Sequence, residues 1–129
     1  MDTIEKINAF LQIRGYDLRK IKGQDLNNSK IISKALTKQE ALEAVKFYYQ
    51  LKVPILGGDV FYMDKDGEID WTYDNWYTIK NDSENNIKYL KRSIEETEHY
   101  IKNYRNNVLQ NCTLLFDIIY EKPPQLHSA

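Results

Sequence analysis

Apolar side chains recur every three or four residues in three segments of the chain, the spacing that places them on one face of an α-helix. The first segment follows Thr3, a candidate N-cap, and ends at Gly15. The second follows the capping box formed by Thr37 and Glu40, and the third follows Ser83, another candidate N-cap. The core-facing positions expected in this third helix are Ile87, Leu90, Ile94, Thr97, Ile101, Tyr104 and Val108.

Two stretches rich in β-branched and aromatic residues, 55–63 and 68–79, lie on either side of a short turn sequence. The turn, Asp64-Lys65-Asp66-Gly67, ends on the residue type that most readily adopts a positive φ. This pattern predicts a β-hairpin in which Gly67 follows a type I turn.

The register of the hairpin depends on how the turn is counted. A three-residue turn places Val60 opposite Thr72, and a four-residue turn places Gly58 opposite Tyr73. In the second register, the tyrosine ring is expected to lie over Gly58, which has no side chain to obstruct it.

Residues 114–120 are apolar on both faces apart from Asp117, which is typical of a strand in the middle of a sheet. Residues 16–36 show no regular period and are predicted to form a loop with at most one short element. The predicted order is ααββαβ, an α+β fold with an antiparallel or mixed sheet of about three strands packed with helices. We expect one domain over residues 1–121 and a disordered tail over residues 122–129.

Composition and charge narrow the class of protein. The chain is 42% hydrophobic with a net charge of −1, which favours a folded domain over a disordered chain. Residues 59–84 hold eight acidic and two basic side chains, whereas residues 1–58 hold six acidic and ten basic ones. Acidic side chains repel phosphates, so we expect a basic protein surface rather than a nucleic acid as the partner of the middle region.

The sequence gives little support to an enzyme, a cofactor or a metal site. An EF-hand aligned on Gly67 would need carboxylates where Tyr62 and Tyr73 stand. The chain contains neither the dinucleotide-binding motif Gly-x-Gly-x-x-Gly nor the phosphate-loop motif Gly-Lys-Ser/Thr. Cys112 is expected to be a small buried side chain rather than a nucleophile. The first ten residues carry charges where a signal peptide is apolar, and no long apolar run is present. A cytoplasmic protein without membrane contact is therefore expected.

Three motifs of the chain together resemble one protein family. They are Ile55-Leu56-Gly57-Gly58-Asp59-Val60 in the hairpin, Thr72-Tyr73-Asp74-Asn75-Trp76 after its turn, and Ser93 with Tyr100-Ile101 in the third predicted helix. The stretch from Leu36 to Tyr104 that contains them resembles the bacterial family called immunity protein 40. The resemblance implies an α+β protein that binds a toxin domain and neutralises it in the producing cell or its siblings, without catalytic or cofactor residues.

The acidic hairpin is the surface that we expect the toxin domain to contact. Toxins that act on nucleic acids need basic active sites, and carboxylates steer an inhibitor toward such sites. The hypothesis assigns partner binding to Asp64, Asp66, Glu68, Asp70, Asp74, Trp76 and Tyr77. Trp71 and Tyr73 are expected on one face of their strand and Trp76 on the other, so at least one of these rings should be exposed. The alternative function is an acidic adaptor or regulatory subunit unrelated to toxins.

Overall fold

The computed structural model describes residues 1–18 and 34–123. The elements, in chain order, are α1 (Thr3–Arg14), β1 (Tyr16–Asp17), β2 (Lys34–Thr37), α2 (Lys38–Gln50), β3 (Ile55–Met63), β4 (Ile69–Tyr77), α3 (Asn86–Asn103) and β5 (Thr113–Tyr120). Five strands form one antiparallel sheet in the order β1-β2-β5-β3-β4. None of the helices within these residues is long and apolar enough to cross a membrane.

The α+β class and the three helices are confirmed, but the prediction of about three strands is wrong, because the described sheet has five. The additional strand β1 and all but the last residue of β2 fall within residues 16–36, for which the sequence predicts a loop. They are two and four residues long, too short for an alternating pattern to be visible in the sequence. The expected tail falls mostly on residues 124–129, which lie outside the described residues.

Strand β5 occupies the middle of the sheet, as its apolar sequence predicts. It pairs antiparallel with β2 on one side and with β3 on the other. Phe116 and Ile118 join the core beneath the helices, whereas Leu115 joins a smaller apolar cluster on the opposite side of the sheet. We call these two sides the helix-side face and the outer face.

The helices begin and end close to their predicted bounds, with two corrections to the caps. Asp2, not Thr3, caps α1, because its Oδ1 accepts from the amide of Glu5 at 2.8 Å. Asn85, not Ser83, caps α3 and accepts from the amide of Lys88 at 2.8 Å. The capping role of Thr37 is confirmed by a hydrogen bond of 3.4 Å from the amide of Glu40.

The apolar stripe of α3 is confirmed in its middle and wrong at its two ends. Ile94, Thr97 and Ile101 are buried against the sheet. Ile87 is 81% exposed and Val108 is 89% exposed, because one lies in the first turn of α3 and the other lies beyond its last residue. Only the middle of α3 therefore packs against the sheet.

Candidate functional site

The turn of the β3–β4 hairpin is held together by one of its own acidic side chains. The Oδ1 atom of Asp64 accepts hydrogen bonds from the amides of Asp66 at 2.9 Å and Glu68 at 3.0 Å. Gly67 has a φ of 84°, which confirms the positive φ predicted for it. Asp64 therefore orders the turn, while the side chains of Asp66 and Glu68 are exposed at its tip.

Two further acidic side chains of β4 are each fixed by a tyrosine hydroxyl. Asp70 accepts from the hydroxyl of Tyr62 at 3.4 Å and from the amide of Trp71 at 2.8 Å. Asp74 accepts from the hydroxyl of Tyr104 at 2.6 Å. Burial and this hydrogen bond to Asp74 raise the pKa of Tyr104. Both carboxylates thus keep one orientation relative to the sheet.

A β-bulge interrupts the pairing of β3 with β4. Phe61 lies opposite Trp71 and Asp59 lies opposite Asn75, so Val60 alone stands against residues 72–74. The four-residue register is wrong, because Met63 already lies opposite Ile69 next to the turn. Near the turn the strands follow the three-residue register, and the two extra residues then shift the partners beyond it.

Two tyrosines of β4 are the most exposed rings of the hairpin. Tyr73 is 82% exposed and Tyr77 is 73% exposed. The ring of Trp71 contacts two other aromatic rings, with its centroid 4.6 Å from that of Phe61 and 6.4 Å from that of Tyr73. The expectation that at least one hairpin ring is exposed is confirmed by Tyr73. We use the name hairpin surface for the exposed or partly exposed side chains Asp64, Asp66, Glu68, Asp70, Tyr73, Asp74 and Tyr77.

Trp76 does not belong to this surface, which corrects its assignment as a partner-binding residue. Only 7% of it is exposed, on the helix-side face. Its indole Nε1 donates to Thr97 Oγ1 at 3.0 Å, and its ring stacks on Tyr100 with centroids 4.7 Å apart. Burial and the nearby Asp74 carboxylate raise the pKa of Tyr100 to about 12. The ring of Trp76 is therefore a core element that joins β4 to α3.

The two motif glycines make room for Trp76. A Cβ atom on Gly58 would overlap the Trp76 ring and the carbonyl oxygen of Asp117. Gly57 has a φ of 148°, and a Cβ there would overlap the carbonyl oxygen of Trp76. An aromatic ring lies over Gly58, as expected, but it is the ring of Trp76 and not that of Tyr73.

Most of the motif residues converge on this packing unit. The hydroxyl of Ser93 accepts from the amide of Ile55 at 3.1 Å and donates to the carbonyl of Leu90 at 3.0 Å, which ties α3 to the start of β3. Val60 is fully buried in the same core. These motif residues therefore hold the sheet against α3, and their arrangement is structural.

Asp59 differs from the other motif residues because it lies on the outer face. It stands directly opposite Asp117 across the β3–β5 pair and opposite Asn75 across the β3–β4 pair. Burial raises the pKa of Asp59, and burial together with the Asp59 carboxylate raises the pKa of Asp117 to about 7. The outer face thus carries two adjacent carboxyl groups that do not favour being ionised together.

Within residues 1–18 and 34–123, no group of three or more His, Cys, Asp or Glu side chains is arranged to hold a metal ion. Cys112 is only partly buried, not fully as expected, because it precedes β5 rather than lying inside it. His99 is exposed on α3, and its Nδ1 atom lies 3.2 Å from the side-chain amide nitrogen Nδ2 of Asn103.

The sequence predicts neither the positive φ of Tyr73 nor the pairing of Asp117 with Asp59. The positive φ of Tyr73 has no signal in the sequence, since glycine and asparagine are the residue types that usually mark this conformation. The Asp59–Asp117 pair depends on which strands become neighbours, which the order of elements leaves open.

The family model described as Immunity protein 40 matches residues 25–118. No curated protein and no solved structure matches the chain.

Proposed function

The chain belongs to the immunity protein 40 family, and on that premise we propose that it neutralises a cognate bacterial toxin domain by binding it through the hairpin surface. The observation that carries the proposal is the concentration of acidic side chains in residues 59–84, eight against two basic ones, beside two exposed tyrosines. Binding alone accounts for this function, and the proposal requires no catalytic residue, cofactor or metal. We place the encounter in the cytoplasm of the producing cell.

The charge of the hairpin favours a toxin with a basic surface. Toxins that act on nucleic acids attract phosphates with basic active sites, and a carboxylate-rich inhibitor is attracted to the same groups. Asp66 and Glu68, exposed at the turn tip, suit long-range attraction during the encounter. Since exposed charges are screened by salt, their contribution falls as the ionic strength rises.

Asp70 and Asp74 suit direct contact better than the acids at the tip. Their carboxylates are already oriented by the hydroxyls of Tyr62 and Tyr104, so little side-chain entropy is lost when a partner binds them. Each carboxylate retains acceptor capacity for a donor from lysine or arginine. The proposed contact therefore combines steering acids at the tip with oriented acids along β4.

Charge reversal at these two kinds of position tests the proposal. The probe is the C-terminal domain of the protein encoded by the neighbouring gene, and affinity is measured at low and high salt after circular dichroism has confirmed folding. Asp66→Lys should weaken binding roughly threefold to tenfold at low salt and little at high salt. Asp70→Asn and Asp70→Lys should weaken binding at both salts, the reversal by at least about 30-fold.

The matched control is Glu43→Lys, the same reversal at an exposed acid on α2. It should leave affinity unchanged at both salt concentrations. Equal binding by all four variants would exclude the hairpin surface. Absence of binding by the unaltered protein, or healthy growth of cells that express the toxin domain alone, would instead favour the acidic adaptor.

A further inference from the structure

The conformation of Tyr73 is unusual for its residue type and its place in the fold. Its φ is 68°, a left-handed value that a bulky side chain adopts at an energetic cost. Among the described residues, Lys52 and Asn111 are the other non-glycine residues with positive φ. Lys52 follows the C-terminus of α2, where this conformation is common, and asparagine tolerates it. Tyr73, in contrast, lies inside a β-strand.

The surrounding structure holds Tyr73 in this conformation from both sides. On one side, the Thr72 hydroxyl donates to the carbonyl of Val60 at 2.7 Å and accepts from the amide of Asp74 at 3.0 Å. On the other side, the Asp74 carboxylate accepts from the hydroxyl of Tyr104. The bulge is therefore held in place by hydrogen bonds on both sides of Tyr73 and is not a frayed strand end.

The free protein gains little packing from the ring that the bulge presents. Tyr73 is 82% exposed, and its ring stacks against that of Trp71, with centroids 6.4 Å apart. The strain of the backbone is thus not offset by burial of the side chain. Strain that is held in place without a packing gain is characteristic of residues that act on a ligand or partner.

The bulge also restricts how a partner can approach this edge of the sheet. Strand β4 is an edge strand, and an uninterrupted edge would invite another strand to pair along it. Residues 72–74 break its regular hydrogen-bonding row in the middle. A partner at this edge must therefore bind mainly through side chains.

We propose that Tyr73 is the central anchor of the interface and that its ring enters a pocket on a toxin domain whose rim is basic. This inference rests on the proposed function and specifies its contact. Charge complementarity identifies the occupant, since Tyr73 belongs to the acidic stretch of residues 59–84, in which Asp66 and Glu68 are exposed on the same hairpin. A rigid tyrosine that loses little entropy on binding is a frequent interface hot spot.

The test separates the anchoring role of the ring from its effect on stability. Tyr73→Gly removes the ring and also removes the backbone strain, because glycine adopts a positive φ freely. The variant should melt at the same temperature as the parent or higher, yet bind the toxin domain at least about 30-fold more weakly. Tyr73→Asn should behave in the same way, and Tyr73→Phe, which keeps the ring, should retain most of the affinity.

Tyr49→Ala is the matched control, since Tyr49 is an exposed tyrosine on α2. It should bind like the parent. If the parent binds and Tyr73→Gly binds within about threefold of it, the anchor assignment is wrong while the proposed function stands. A clearly lower melting temperature for Tyr73→Gly would also overturn the assignment, because the ring would then stabilise the free protein. Failure of the parent to bind would refute the proposed function itself.

Discussion

The two faces of the sheet differ in what they bury, although the same strands build both. On the helix-side face, Gly58 leaves space for the ring of Trp76. This ring stacks on Tyr100, and its Nε1 donates a hydrogen bond to the hydroxyl of Thr97. On the outer face, the next residue of the same strand, Asp59, faces the carboxyl of Asp117. One step along a strand thus separates a close-packed core from a pair of like charges.

This difference shows where the chain gains stability and where it does not. The helix-side face gains stability from apolar burial, with Val60, Ile101 and Phe116 fully enclosed. The outer face and the β4 edge retain features that cost stability in the free protein, namely the Asp59–Asp117 pair and the strained Tyr73. Truncations in the helix-side core should therefore lower the free energy of unfolding, whereas substitutions that remove the Asp59–Asp117 repulsion or the strain at Tyr73 should raise it.

The largest effect is expected at the centre of the helix-side core. Ile101→Ala removes three buried carbons from a fully enclosed position and should lower the free energy of unfolding by roughly 3–5 kcal/mol. Ile94→Ala, at a slightly less enclosed site, should cost roughly 2–4 kcal/mol. Lys91→Ala, on the exposed side of the same helix, is the control and should be nearly silent in urea unfolding. Equal midpoints for the three variants would contradict the orientation of α3.

A comparable but smaller loss is expected when Gly58 is given a side chain. Gly58→Val should lower the free energy of unfolding by about 3 kcal/mol, the upper end of overpacking costs, because the backbone of Asp117 leaves no room. Gly67→Asn is the control, since a Cβ at Gly67 meets nothing within 4 Å and asparagine tolerates its positive φ. An unchanged melting temperature for Gly58→Val would refute the packing of Trp76 over this glycine.

A smaller effect of opposite sign is expected on the outer face. The pKa of Asp117 is raised from 3.8 to about 7, so the folded state binds its proton more tightly than the unfolded state. Stability from this group is therefore present at low pH and is lost as the pH rises through about 7. At about pH 8, Asp117→Asn should be more stable than the parent by at least about 1.4 kcal/mol, the equivalent of one pKa unit.

The same comparison across pH supplies the control for this prediction. Asp66→Asn removes an equal charge from the exposed turn and should not stabilise the protein at about pH 8 as Asp117→Asn does. Urea unfolding at several pH values between about 4 and 8 measures both variants against the parent. A parent whose stability does not fall across this range would show that Asp59 and Asp117 are not coupled as described.

Local sequence determined those elements whose signals lie within a few residues. The N-cap at Thr37, the turn that ends at Gly67 and the spacing of Ile94, Thr97 and Ile101 each predict a structure that is present. The apolar run of β5 likewise predicts a central strand. Caps, turns and periodic faces depend on residues close in the chain, so one sequence is sufficient to identify them.

The tertiary structure decided which distant residues became neighbours. Strands β1 and β2 are too short to show alternation, and the sheet defines them through pairing with each other and with β5. The bulge at residues 72–74 sets both the burial of Trp76 and the exposure of Tyr73, and no residue type in the sequence marks it. Strand pairing is non-local, so the facing carboxyls and the exposed ring arise only when the sheet is assembled.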